Sequence, residues 1–160
     1  MVVQVNFMSS DSDPKALDLR IRHFVYEYFV RQTRPPSVAE TAAQFNLPEA
    51  EARNCYQRLH DNHFFFLEPG TASIRMANPF SAIPTKFKVQ VGPMAYWANC
   101  AWDMLGIPAA LQQDAVIEAK YEDMGETAVI TVKNGQVQHS GGVIHFPLPV
   151  RQWYDDLILT

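Results

Sequence analysis

The sequence predicts an α+β protein. A winged-helix-like three-helix unit is expected over residues 1–76, and a small antiparallel sheet with a cysteine-bearing helix over residues 77–160. Three observations carry this reading. Apolar residues recur at helical spacing in the first part, and alternating runs separated by Gly, Pro and Asn fill the second. Between them, Ala-Asn-Pro-Phe-Ser-Ala-Ile-Pro at 77–84 reads as a linker.

Asp13-Pro14 opens the first helix, because proline is tolerated in a first turn. Leu17, Ile21, Phe24, Val25, Tyr28 and Phe29 then repeat three or four residues apart, and Pro35-Pro36 stops the run. Ser37-Val38-Ala39-Glu40 has the form of a capping box and starts a short helix through about Phe45. Asn46-Leu47 makes a turn, and Pro48-Glu49-Ala50-Glu51 opens a third helix with Ala52, Cys55, Tyr56 and Leu59 on one face. Residues 63–67 and 72–76, joined by Glu68-Pro69-Gly70-Thr71, read as a hairpin, the wing. The run Phe64-Phe65-Phe66 is expected to pack that wing on the helices.

Beyond the linker, Phe87-Lys88-Val89-Gln90-Val91 alternates as a strand. Gly92-Pro93 leads into the helix expected to hold Cys100, which Ile107-Pro108 ends or kinks. Strand-like runs follow at 115–121, 127–133 and 143–146. Asp123-Met124-Gly125-Glu126 and Asn134-Gly135 connect them, the second being a strong hairpin signal.

The chain has 160 residues, 48% of them apolar, enough for a sizeable core. No apolar run approaches the roughly 20 residues that cross a bilayer. The first residues carry no positive charge ahead of their apolar stretch, so no secretory signal is expected. Cys55 and Cys100 lie in unlike contexts, which argues against a disulfide and for a reducing, cytoplasmic setting. A formal charge of −4 offers no general attraction to nucleic acid or anionic membranes. Residues 1–76 hold eight basic and nine acidic side chains, and the third helix opens with Glu49 and Glu51 and has only Arg53 and Arg58. A winged-helix transcriptional regulator is therefore the weaker reading, since phosphate contacts need several placed cations. Phosphate-loop, zinc-knuckle and Ser/His/Asp signatures are absent, so no cofactor is expected. The expected partner is a small molecule, and oligomeric state stays open.

The stretch with chemical content is Trp97-Ala98-Asn99-Cys100-Ala101-Trp102-Asp103-Met104-Leu105-Gly106. On a helix, Cys100 and Asp103 share a face. A free thiol, with a pKa near 8.5, is mostly protonated at neutral pH, so reactivity needs a group that takes its proton. Asp103 is placed to take that proton and to deliver it to a leaving group. The thiolate is also a preferred ligand of soft metals. The plain alternative is that Cys100 fills space and Asp103 accepts a hydrogen bond from Asn99, Trp102 or a nearby backbone group.

The run Asn99-Cys100-Ala101-Trp102-Asp103-Met104-Leu105 resembles the Cys-Ala-x-Asp-x-Leu signature of the organomercurial (alkylmercury) lyase family. The likeness extends to the winged-helix-like first half, the strand-turn-strand around Gly125, and Val143-Ile144-His145-Phe146 followed by Trp153. It implies that Cys100 attacks mercury as a thiolate, mercury being the substrate, and that Asp103 passes a proton to the departing carbon. It also brings His139 and His145 near the side opposite Cys100, with Trp102 and His145 as substrate contacts. The family's second catalytic cysteine falls where this chain reads His139-Ser140-Gly141-Gly142, and a further family cysteine is Tyr121 here. The expected activity is weak protonolysis of a carbon–metal bond or a related reaction on a small apolar substrate. The alternative is a catalytically silent relative that binds a soft metal or ligand through Cys100.

Overall fold

The computed structural model describes residues 14–138, 142–146 and 148–153, and the chain divides into two compact units between Ile74 and Arg75. In the first unit, α1 (Pro14–Gln32) buries Ile21, Val25 and Phe29, one face at a spacing of four. Helix α2 (Val38–Phe45) starts at the expected capping box: Ser37 Oγ accepts from the Glu40 N–H, and the Glu40 carboxylate accepts from the Ser37 N–H. Asn46 closes α2 in the left-handed region. Helix α3 (Glu49–Asp61) buries Ala52, Cys55, Tyr56 and Leu59 as anticipated.

Polar contacts tie the three helices. The buried Tyr56 hydroxyl lies 2.6 Å from Thr41 Oγ1 and donates to the Pro36 carbonyl at 3.2 Å. Arg58 grips Asp18 of α1 with two bonds of 2.7 and 2.8 Å. Arg34 and Tyr28 both bond Glu40, whose carboxyl the Arg34 guanidinium holds well below its ordinary range. Phe65 and Phe66 are buried, while Phe64 is exposed under the Arg22 guanidinium. After β1 (Phe66–Leu67), the Glu68 N–H donates to the Ser73 carbonyl at 2.8 Å and turns the chain back.

The second unit is built on an antiparallel sheet. Strand β2 (Ile74–Ala77) crosses the unit boundary; β3 (Phe80–Ser81), β4 (Phe87–Val91), β5 (Met94–Ala98), β6 (Ala115–Lys120), β7 (Thr127–Lys133) and β8 (Gln136–Gln138) follow. From β2 the order is β2-β3-β5-β4-β6-β7-β8. The alternation in β6 and β7 puts Ala115, Ile117, Ala119, Ala128, Ile130 and Val132 inside. Asn134 and Gly135 both take positive φ, 51° and 72°, as a tight hairpin requires, and Asp114 accepts from the Asn134 N–H at 2.7 Å. The α+β architecture is the expected one.

Three details differ from expectation. Residues 94–98 are strand, not helix: Val91 pairs with Met94 across the Gly92-Pro93 turn, and Tyr96 and Ala98 alternate inward. The helix α4 begins only at Asp103 and runs to Leu111 with Pro108 inside it, so Cys100 precedes the helix. The supposed linker is part of the sheet, because Phe80 and Ser81 pair with both β2 and β5. Finally, residues 143–146 form no strand; the far edge of β7 is already occupied by β8, which leaves Val143 94% exposed.

Candidate functional site

The end of β5 delivers the reactive segment. Thr85 Oγ1 donates to the Ala98 carbonyl at 2.6 Å and fixes that end. The next turn is helical before the helix proper begins. The Cys100 carbonyl accepts from the Met104 N–H at 3.1 Å, and the Trp102 carbonyl accepts from Leu105 and Gly106. Cys100 and Asp103 therefore keep the same-face relation that a helical turn gives positions three apart. The Cys100 thiol lies 3.5 Å from Asp103 Oδ2 and donates to it.

Both groups are half-buried, and their electrostatics follow from that. Burial pushes the Cys100 thiol up, and the negative charge of Asp103 pushes it further. Burial likewise pushes the Asp103 carboxyl up, while hydrogen bonds from Cys100 and Asn99 pull back. At rest the thiol keeps its proton and aims it at the carboxylate. A soft metal bound to sulfur reverses the order, because coordination releases the thiol proton. Asp103 is then the adjacent acceptor, and its raised affinity for protons fits it to hold one and pass it on.

Asn99 is a member of this site that sequence reasoning weighed only as a hydrogen-bond donor to Asp103. Its Nδ2 donates to Asn78 Oδ1 at 2.9 Å and to the Phe80 carbonyl at 3.2 Å. The Phe80 carbonyl only accepts, which fixes the amide nitrogen on that side. Among the described residues, nothing donates to the buried Asn99 Oδ1. Its contacts lie 19 and 21 residues away, so no local pattern announces them.

A cleft of about 1090 Å³ in the second unit opens on Cys100. Trp102, Met124, Val143, His145 and Phe146 line it, and Lys86, paired with Glu122 at 2.7 Å, stands on its polar side. Trp102 and His145, the expected substrate contacts, are thus on the cleft that contains Cys100. His139, Ser140 and Gly141 lie outside the described residues. Cys55 is fully buried in the first unit, its sulfur 3.1 Å from Arg58 Nη2, and burial pushes its thiol up to about 11. Among the described residues no group of three or more His, Cys, Asp or Glu converges to hold a metal ion, and no helix is long and apolar enough to cross a membrane.

An antiparallel sheet with a short helix, and a thiol that donates to a carboxylate at the start of that helix, defines an α+β protein whose cleft carries a sulfur beside a proton acceptor. The family can be named. Residues 80–158, which include Cys100 and Asp103, match the family model described as alkylmercury lyase, and this part of the chain belongs to that family. Among ten matching chains of known structure is the mercury-bound form of MerB2, with a TM-score of 0.61 at 21% identity. That match covers 76% of this chain and 58% of the other, so this chain spans little more than half of its length, and the likeness is one of fold. No curated protein matches.

Proposed function

We propose that the second unit cleaves a carbon–mercury bond by protonolysis, with Cys100 as attacking thiol and Asp103 as proton carrier. Trp102 and His145 would contact a small apolar substrate. The observation that carries the reading is the 3.5 Å thiol–carboxylate contact within a segment of alkylmercury lyase type. For a substrate R–Hg–X, the Cys100 sulfur bonds to mercury and its proton moves to Asp103. Asp103 then protonates the carbon, the carbon–mercury bond breaks, and R–H leaves. X remains on mercury as its second ligand beside Cys100, and the atoms balance as R–Hg–X plus thiol giving R–H plus X–Hg–S.

The chain supplies one thiol to this chemistry. Cys55 is enclosed in the first unit and bonded to Arg58, and Gly141-Gly142 stand where a second family cysteine is expected. Turnover should accordingly be slow and depend on added thiol to discharge mercury. The same observation favours a second reading, capture of a soft metal by Cys100 without cleavage.

The test follows arene release from a simple arylmercury compound with excess thiol, for wild type, Cys100→Ser and Asp103→Ala. Slow release that both substitutions abolish is expected. Metal capture without release would favour the silent reading, and release untouched by either substitution would remove the site altogether.

A further inference from the structure

We propose that Trp102 and Phe146 form an aryl-binding shelf beside Cys100, which makes the favoured substrate class aromatic organometallic compounds over methyl ones. The proposal takes from the preceding section only that Cys100 captures the metal. Trp102 sits between the two reacting residues as the N-cap of α4, yet its side chain makes no capping bond. It is 58% exposed, and Phe146 is 41% exposed. Both line the cleft that opens on Cys100. Their ring centroids lie 6.1 Å apart at 61°, an edge-to-face pair. Behind Phe146, Trp153 stacks at 5.3 Å and 23°, and its indole N–H is anchored on the Leu148 carbonyl at 3.0 Å. Two large exposed rings in contact, one of them held from behind, make a contiguous apolar patch on the cleft wall, the kind of surface that marks a ligand-binding groove.

The occupant follows from where the rings stand. A metal atom on the Cys100 sulfur carries its organic group into this cleft, next to Trp102. A methyl group has too little surface to cover either ring. A phenyl group offers an additional ring for stacked or edge contact, and the exposed Met124 and Val143 extend the apolar lining. Capture itself balances simply: R–Hg–X and the Cys100 thiol give R–Hg–S and HX.

The experiment is a competition between phenylmercury and methylmercury for Cys100, read as adduct masses on the intact chain. Asp103→Asn serves as background so that adducts persist, and a small free thiol supplies the intrinsic partition. With the shelf, the phenyl-to-methyl ratio on Cys100 exceeds that of the free thiol by about three- to tenfold, the range of one aromatic contact. Adding Trp102→Ala should bring the ratio to the free-thiol value, and adding Phe146→Leu should lower it part way. The urea unfolding midpoint of each variant, compared with that of Asp103→Asn alone, serves as the check on folding. A ratio equal to that of the free thiol, or one unmoved by Trp102→Ala, overturns the shelf. Arene release by wild type is scored separately: a high ratio without release upholds the shelf and defeats the lyase reading, and release without selectivity does the opposite.

Discussion

Replacing Asn99 by Ala tests whether this residue serves the fold or the site. The substitution removes two hydrogen bonds, to Asn78 and to the Phe80 carbonyl, together with the amide's contact to the Asp103 carboxyl, whose effect is read at the site rather than in stability. At about 1 kcal/mol for each of the two bonds, that loss is about 2 kcal/mol. Asn78 is exposed and regains a partner in water, which trims the loss. The substitution also removes a buried carbonyl oxygen that has no partner among the described residues, a relief of about 1–3 kcal/mol. The two effects are of similar size, so stability should change by no more than about 1 kcal/mol, read from urea unfolding midpoints at constant slope. The site should respond more clearly. The Asn99 amide helps hold the Asp103 carboxyl down, so its removal should move the Asp103 titration upward. The carboxyl carbon shift of Asp103, followed against pH by NMR, reports this directly. A stability loss above about 3 kcal/mol, or an Asp103 titration that does not move, would refute the reasoning.

Asp103→Asn should cut any arene release by about 10²–10⁴-fold, the ordinary contribution of a positioned proton carrier. The same variant should be more stable than wild type at neutral pH. Burial raises the Asp103 pKa above its unfolded value, so its favourable contribution is complete below the unfolded pKa and lost as pH rises through the folded one. The stability difference between variant and wild type should therefore shrink on acidification, and a difference that grows instead would contradict the burial argument. A limiting alkylating reagent, read by peptide mass spectrometry, should label Cys100 ahead of Cys55, which is fully enclosed. Preferential labelling of Cys55 would place the accessible thiol in the wrong unit.

Legibility in the sequence tracked how local each cause is. The capping box at Ser37 and the spacing of Ile21, Val25 and Phe29 are complete within one helix, and both appear as read. Met94–Ala98 misled because a short apolar run satisfies helix and strand alike; its pairing with Phe87–Val91 decides, and that is not a local property. Ile107-Pro108 reads as an end or a kink, yet α4 runs on through Pro108 to Leu111. The Cys100–Asp103 geometry survived the misplaced helix because a single helical turn, which begins at the Cys100 carbonyl, is all that it needs. The contact of Trp102 with Phe146 joins residues far apart in the chain, and no periodicity predicts it.

The proton that Cys100 keeps has a consequence for survival. Peroxides and other oxidants attack thiolates far faster than thiols, and the first product, a sulfenic acid, is rescued most readily by a neighbouring cysteine. The other cysteine of this chain is enclosed in the first unit, so this sulfur has no such rescuer there. A carboxylate that keeps it protonated protects it in advance, and only a partner soft enough to strip that proton turns the sulfur into a nucleophile. On the proposed function, the same contact that slows the thiol against oxidants leaves it ready for heavy metals.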